Sequence, residues 1–506
     1  MTRYRHLVTD DNRKWWTLGA MCFALFMVML DNTVVNVALP SIQRDLHAEI
    51  SALEWVVNGY TLTFAVLIAT GGRLGDIFGR RLMFLAGVII FAVTSATAGI
   101  AQDPAMLIGS RAIQGIGAAL MMPATLSIIT HTFPAAERGR AIGIWAGVSA
   151  LALSIGPVIG GFLTEYVTWR AIFLINLPVA AAAVIATIFA VQESRDETVD
   201  RRVDYPGVIS LTAGLTAIVL ALIEGNSWGW GSPQVLGLLI GGAIGLAVFA
   251  AIELRVAAPM VEFGLFRTRQ FIGSNLVAFI VTFAMMGTFF FMAIYMQDIL
   301  GFSALEAGVR FLPTTMVIAV IAPISGRLAD RLGPATPMSA GLAVLAVSMF
   351  MFAGISPSTT YSGLLIPFIL MGLGIALVMS PMSTAAMNAV SVQKSGVASG
   401  VLQMSRMVGA SVGIAATGAI FQSQLGSGFD PAALATAPAQ ARATFVDALA
   451  SAMLLAAIVV VAGLVVALLL VRGARAKRGD AAPVVAEEAA EATGTATPLS
   501  AGAQAR

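Results

Sequence analysis

Long apolar segments recur along the whole chain and are separated by short polar stretches. An α-helix needs about 20 apolar residues to cross a bilayer, and these segments have about that length. Fourteen of them can be placed, at residues 15–39, 53–72, 82–101, 105–130, 141–163, 169–190, 205–224, 235–254, 271–296, 309–326, 336–354, 361–385, 400–423 and 448–471. The pattern predicts an all-α polytopic membrane protein.

The composition agrees with a membrane protein and excludes several classes of function. Only 11% of the residues are charged and the mean hydropathy is +0.88, whereas a soluble domain carries about 25% charged residues. A net charge of +2 gives no basis for nucleic-acid binding. The three histidines form no metal cluster, and no lysine follows the Gly-x-x-x-x-Gly spacing of a P-loop. We therefore expect no metal, no cofactor and no ATP site on this chain.

Basic residues indicate the orientation of the helices. With the N-terminus in the cytoplasm, most of the 29 lysines and arginines fall on cytoplasmic segments, which is typical of membrane proteins. Both termini are then cytoplasmic. The first apolar segment is long for a signal-peptide core and holds polar residues at 31–36, so we interpret it as a retained helix.

The chain repeats itself weakly, which indicates two related halves. The segment Gly72-Arg-Leu-Gly-Asp-Ile-Phe-Gly79 returns as Gly326-Arg-Leu-Ala-Asp-Arg-Leu-Gly333, eight helices later. Two six-helix halves with two inserted helices explain this interval, and transporters built from parallel halves bind their substrate between them. The expected units are an N-terminal tail (1–14), a first bundle (15–190), a linker (191–204), the inserted helices (205–254), a second linker (255–270), a second bundle (271–471) and a disordered tail (472–506).

Asp31 is an ionisable residue inside the first apolar segment, and such residues mark functional sites in membrane proteins. It lies roughly 12 Å from the outer end of its helix, while Arg111 in the fourth helix lies at roughly 9 Å, so the two can pair. Burial disfavours a charged carboxylate and a nearby guanidinium favours it. A carboxyl held between these effects can take up and release a proton. The alternative is a permanent structural ion pair.

Other polar residues of the helices are candidates for a substrate cavity. Gln114 shares a face with Arg111, and Asn32 and Asn36 share a face of the first helix. Gln403 and Arg406 form the polar face of the thirteenth helix. The alternative for Arg406 is a side chain that extends to the lipid headgroups. Weaker candidates for the cavity are Asn58, Tyr60, Asn275, Tyr295 and Asn388. Glu224, near the outer end of the seventh helix, is expected to be solvated.

Two glycine-rich segments predict moving parts. In the loop of residues 72–81, Gly72 and Gly79 permit a tight turn and Asp76 can favour a helix N-terminus, while the arginines Arg73, Arg80 and Arg81 contact headgroups. We interpret this loop, and its copy with Gly326, Arg327, Asp330 and Gly333, as a conformational latch rather than a plain turn. In the fifth helix, Gly156, Pro157, Gly160 and Gly161 allow close packing and flexing.

At these residues the chain resembles the 14-helix drug:proton antiporters of the EmrB/QacA type within the major facilitator superfamily. The resemblance rests on residues 30–40 in the first helix, on 72–81 (motif A), on 111–117 (motif B) and on 147–161 (motif C). Motif A marks the superfamily, and motif C marks antiporters.

The resemblance implies efflux of lipophilic, often cationic compounds from a bacterium across its inner membrane, driven by proton entry, with no enzymatic activity. The partners expected are the small-molecule substrate, protons and the bilayer, with a monomer as the unit and an envelope protein at the long outer loop 424–447. Some multidrug members of the family have an acidic residue in the thirteenth helix, and this chain has none there. Its substrate could therefore equally be a single antibiotic, a metabolite or a lipid. A passive channel or a membrane enzyme fits the repeat and the residue inventory less well.

Overall fold

The computed structural model describes residues 9, 12–195, 204–256, 259, 261–390, 395–425 and 439–471. Within these ranges there are 14 helices long and apolar enough to cross a membrane. They are α1 (Arg13–Leu46), α2 (Ile50–Phe78), α3 (Arg80–Gly99), α4 (Pro104–Thr132), α5 (Glu137–Tyr166), α6 (Ala171–Ala190), α7 (Tyr205–Trp228), α8 (Pro233–Glu253), α9 (Arg269–Ile299), α10 (Ala304–Leu332), α11 (Ala335–Ala353), α12 (Tyr361–Asn388), α13 (Val397–Leu425) and α14 (Ala439–Val471). The predicted tail 472–506 and most of the outer loop 424–447 lie outside the described residues.

Several helices extend beyond the apolar segments that predicted them. The helix α1 continues through Pro40 to Leu46, and α10 begins at Ala304, five residues before the predicted start at 309. The first turn of α10 has a capping box between Ser303 and Glu306, which satisfies free backbone N–H groups. A break at Phe311 follows, and Pro313 lies in the first turn of the longer segment, where its missing N–H costs nothing.

The inserted helices α7 and α8 pack on each other through glycines and rest against the second half. A Cβ atom on Gly214 of α7 would lie 3.0 Å from the backbone nitrogen of Leu246 of α8, so the two backbones are in close contact. On the outer side, the Asn226 side chain of α7 donates a hydrogen bond to the Ala419 carbonyl of α13 at 2.6 Å. The inserted pair is therefore anchored to a helix of the second bundle.

The two six-helix halves meet in the outer half of the membrane. Gln297 of α9 donates to the Val37 carbonyl of α1 at 2.8 Å, and the backbone N–H of Leu305 donates to Glu165 at 2.9 Å. By contrast, Cβ atoms on Gly139, Gly143 and Gly147, in the inner half of α5, would meet nothing within 4 Å. With the N-terminus in the cytoplasm, as predicted, these two hydrogen bonds between the halves lie on the outer side of the membrane.

Candidate functional site

A buried ion pair joins α1 to α4 near the middle of the first bundle. Arg111 Nη1 lies 2.6 Å from Asp31 Oδ2, and the two side chains are 1% and 0% exposed. The pairing expected from their matching depth is therefore present. Arg111 Nε also donates to the Val56 carbonyl of α2 at 3.1 Å, so three helices share one guanidinium.

Gln114 completes a polar network around the ion pair. Its Oε1 accepts from Arg111 at 2.7 Å and its Nε2 donates to Asp31 Oδ1 at 3.3 Å. The same Nε2 lies 3.4 Å from Ser95 Oγ on α3, which in turn accepts from Asn176 of α6 at 3.0 Å. Five helices of the first bundle thus contribute to one polar network that includes Asp31.

Aromatic rings enclose the guanidinium. The Arg111 Cζ atom lies 4.3 Å from the centre of the Tyr60 ring and 5.7 Å from that of Phe173. Such contacts stabilise the cation by about 2 kcal/mol when it is desolvated. The two rings therefore help to hold the guanidinium in place beside Asp31.

Some polar atoms of the first bundle are buried with no partner in the part of the chain that the structure describes. They are both amide atoms of Asn58, the Oδ1 of Asn36 and the Tyr60 hydroxyl. Asn36 Nδ2 only reaches the Asn32 carbonyl of its own helix, at 3.3 Å, and Asn32 is half-buried. Unpaired buried polar atoms require an explanation such as bound water or a ligand, so Asn32, Asn36 and Asn58 stay candidates for substrate contact.

The two predicted polar residues of α13, Gln403 and Arg406, contact each other. Arg406 Nη1 donates to Gln403 at 3.2 Å, on its own helix, and its Nε is buried without a partner among the described residues. A buried Nε does not fit a side chain anchored at the headgroups. The Arg406 carbonyl accepts from Thr282 of α9 at 2.7 Å, which fixes this part of α13 inside the second bundle.

Three weaker candidates lie away from this region. The Tyr295 hydroxyl donates to the Thr359 carbonyl of an outer loop at 3.4 Å, so it holds the outer packing. Asn275 accepts from Ser405 at 3.0 Å and joins α9 to α13. Asn388 is exposed at the inner end of α12. Glu224 is half-buried and accepts from Ser227 on α7 at 2.9 Å.

The motif A loop is a tight turn between α2 and α3. Gly79 has φ +120, a conformation that glycine adopts without strain, and a Cβ on Gly72 would lie 3.4 Å from Pro123 of α4. Asp76 pairs with Arg80 at 2.9 Å across the turn. The expectation that Asp76 favours a helix N-terminus is wrong, because it lies in the last turn of α2.

The N-terminus of α3 is instead capped by Glu193, which sequence reasoning missed. Its carboxylate accepts from the backbone N–H groups of Arg81 at 3.0 Å and Leu82 at 3.1 Å. The Arg81 guanidinium bonds the Ile188 carbonyl at 3.2 Å, so the end of α6 is tied to the motif A turn. A glutamate over one hundred residues away leaves no local signal in the sequence.

The second copy of motif A keeps the turn but not the ion pair. Gly333 has φ +81, as Gly79 has a positive φ, and a Cβ on Gly326 would lie 2.9 Å from Ser380. Pro334 stands four residues after Asp330 where the first copy has Arg80. Within the described ranges neither Asp330 nor Arg327 forms a salt bridge.

Motif C joins three helices at the outer closure. Gly156 and Gly160 lie against Thr33 and Val34 of α1, where a Cβ on Gly160 would be 2.9 Å from Val34 Cα. Gly161 lies against the Ala304 carbonyl of α10, and the Pro157 carbonyl lies against Gly308. The glycines therefore let α5 approach a helix of each half.

Residue Glu54 of α2 was missed as well. It is fully buried and accepts from Gln422 of α13 at 3.0 Å. Because Glu54 is the second residue of the predicted segment 53–72, it looks like an interfacial residue. The spacing of Glu54, Asn58 and Thr61 on one face of a helix is the signal that could have revealed it.

Comparisons with known proteins concern the family and the fold of the chain. The family model described as Major Facilitator Superfamily matches residues 21–414. The tetracenomycin C resistance and export protein of Streptomyces glaucescens is 37% identical over 420 residues, 82% of this chain and 78% of that protein. The puromycin resistance protein pur8 of Streptomyces alboniger is 39% identical over 412 residues, 80% of this chain and 81% of that protein.

A solved structure shares the fold. It is the inward-facing, unoccupied form of a bacterial homologue of the human lysosomal transporter Spinster. The two structures align with a TM-score of 0.66 at 19% identity, over 91% of this chain and 97% of the other. At this identity the likeness concerns the fold alone.

Proposed function

This chain belongs to the Major Facilitator Superfamily, and from that premise we propose that it exports lipophilic, antibiotic-like small molecules across the bacterial inner membrane in exchange for protons. The observation that carries the proposal is the Asp31–Arg111 pair, buried at 2.6 Å in the first bundle. The export proteins for tetracenomycin C and puromycin named above support the class of substrate. The proposed unit is a monomer, and an envelope partner at the outer loop is a further proposal.

Proton exchange at Asp31 gives the cycle its coupling. In the inward-facing form Asp31 is paired with Arg111, as a carboxylate that has released its proton to the cytoplasm. In the outward-facing form a proton from outside neutralises it, and Arg111 keeps Gln114 and the Val56 carbonyl as acceptors. The membrane potential favours the proton's inward movement by about 2.3 kcal/mol per 100 mV for each charge.

Transport in proteoliposomes tests this proposal. The purified protein is reconstituted in liposomes loaded with puromycin or a fluorescent lipophilic cation, and a pH gradient is imposed across the membrane. Transport by Asp31→Asn is compared with transport by the parent. Because asparagine cannot carry the proton, we expect gradient-driven transport in the parent and its loss in the variant. Counterflow without a gradient is the control and should persist in the variant. Equal gradient-driven rates in the two proteins would contradict the assignment of Asp31.

A further inference from the structure

Glu54 lies in the contact between the two halves, on the outer side of the membrane. It belongs to α2 of the first half, and its Oε1 accepts from Gln422 of α13, in the second half, at 3.0 Å. Gly418 of α13 lies directly against the same carboxyl, so that no side chain fits there. One turn of α13 therefore packs around this carboxyl when the outer side is closed.

In the part of the chain that the structure describes, no cation pairs with the buried Glu54 carboxyl. Glu54 is 0% exposed, and its Oε2 has no hydrogen-bond partner among the residues described. Burying an ionised carboxylate is costly unless it is paired and fully hydrogen-bonded. A neutral carboxylic acid has one donor and one acceptor, and it fits a single amide partner far better.

The charged groups on neighbouring helices reinforce this preference. Glu224 of α7 repels a negative charge at Glu54. Arg111 of α4 reaches α2 at the Val56 carbonyl, but its guanidinium is engaged by Asp31 and Gln114. Arg406 of α13 lies about 18 Å along the helix from Gly418. Among the described residues, Asp31 thus has a partner cation and Glu54 has none.

We propose that Glu54 is a second proton-binding site, located in the contact between the halves, and that the outer side closes only when Glu54 holds a proton. When the halves separate on the outer side, water reaches the carboxyl and its proton leaves to the external solution. Closure then requires a proton from outside. External acid therefore favours return to the inward-facing form, the direction that the proposed proton exchange needs and on which this inference rests.

Labelling of a cysteine in the outer contact tests the inference without any substrate. Cys22 is the single cysteine, so Cys22→Ser provides a cysteine-free background. Ala304→Cys places a reporter at a position that is 8% exposed and packs on Gly161. A membrane-impermeant maleimide is applied from outside at pH values from about 5.5 to about 8.5. Rates are divided by those of Gly231→Cys in an exposed outer loop, which removes the pH dependence of the thiol itself.

We expect the normalised rate to rise about tenfold with pH in the parent, because deprotonation holds the outer side open. Glu54→Gln, which mimics the neutral acid, should label slowly at every pH. Glu54→Asp keeps a titratable group and should retain the rise, as should the control Glu224→Gln. The inference is overturned if the normalised labelling rate of Glu54→Gln rises with pH as it does in the parent, or if the rate of the parent does not rise.

These outcomes are separate from the failure of the transport proposal. If Glu54→Gln abolishes the pH dependence of labelling, the role of Glu54 is supported. If Asp31→Asn also transports as fast as the parent, the role of Asp31 is rejected while that of Glu54 stands. Gel filtration of Glu54→Gln checks that the variant folds, and Glu54→Asp carries the test if it does not.

Discussion

At the scale of single residues, two buried carboxyls differ in what surrounds them. Asp31 has a guanidinium at 2.6 Å and an amide at 3.3 Å, whereas Glu54 has one amide at 3.0 Å. A partner cation stabilises the charged form and its absence stabilises the neutral form. Among the described residues, Asp31 therefore has a cation as partner, whereas the partner of Glu54 is a neutral amide.

Removing one member of the ion pair should destabilise the protein more than removing both charges. Arg111→Gln leaves Asp31 as an uncompensated buried charge, and breaking a buried pair in this way costs about 3–5 kcal/mol. We expect a lowered melting temperature in detergent for Arg111→Gln, with partial recovery in Asp31→Asn/Arg111→Gln. If the double variant melts at a lower temperature than Arg111→Gln, the loss of stability does not come from an unpaired charge on Asp31.

At the scale of helices, glycines decide which faces of α5 can approach a neighbour. The inner glycines Gly139, Gly143 and Gly147 have open space beside them, while Gly160 and Gly161 touch backbone atoms of α1 and α10. Small residues at such contacts let helices pack without gaps. On the glycine face of α5, the outer half is therefore a packing surface, and the inner half touches no neighbour at these three positions.

A side chain at Gly161 should open the outer contact. A Cβ there would lie 2.5 Å from the Ala304 carbonyl, and overpacking a close contact costs about 1–3 kcal/mol. We expect Gly161→Val to slow transport by about tenfold and to speed labelling of a cysteine on the outer side. Gly147→Val is the matched control on the same helix, since nothing lies within 4 Å of that position. Equal effects of the two variants would show that helix propensity, not packing, is responsible.

At the scale of the whole molecule, the halves are held together by contacts that must break in each cycle. Ser154 of α5 donates to the Thr315 carbonyl of α10 at 3.2 Å, and Thr315 donates back to the Ser154 carbonyl at 3.3 Å. Both side chains are buried. Alternating access requires these two helices to separate here when the outer side opens.

A covalent link across this contact should stop transport. In the Cys22→Ser background, Ser154→Cys and Thr315→Cys together place two thiols at adjoining positions, and a mild oxidant can join them. We expect the oxidised protein to lose transport and a reductant to restore it, measured in proteoliposomes. Each single cysteine variant should be indifferent to oxidant. Transport that survives complete cross-linking would mean that this contact does not open.

Much of this protein can be derived from the sequence. Apolar length predicted the 14 helices, and the structure confirms their number within the described residues. Basic residues predict their orientation, and the repeat of Gly72–Gly79 at 326–333 predicts the two halves. Asp31 and Arg111 stood out because a charge in the middle of an apolar segment is costly and needs a partner at its own depth. These conclusions depend on local composition and on positions along one helix, which the sequence records directly.

The tertiary structure alone decided which helices meet and which polar residues are enclosed. Glu54, the second residue of the predicted segment 53–72, has the position expected of a residue at the membrane surface. In the structure it is fully buried and contacts Gln422 of α13. Glu193 caps α3 from a distant loop, and Asp76, which looked suited to that position, pairs with Arg80 instead. Burial near a helix end depends on the neighbour that packs there, and that neighbour comes from a remote part of the chain.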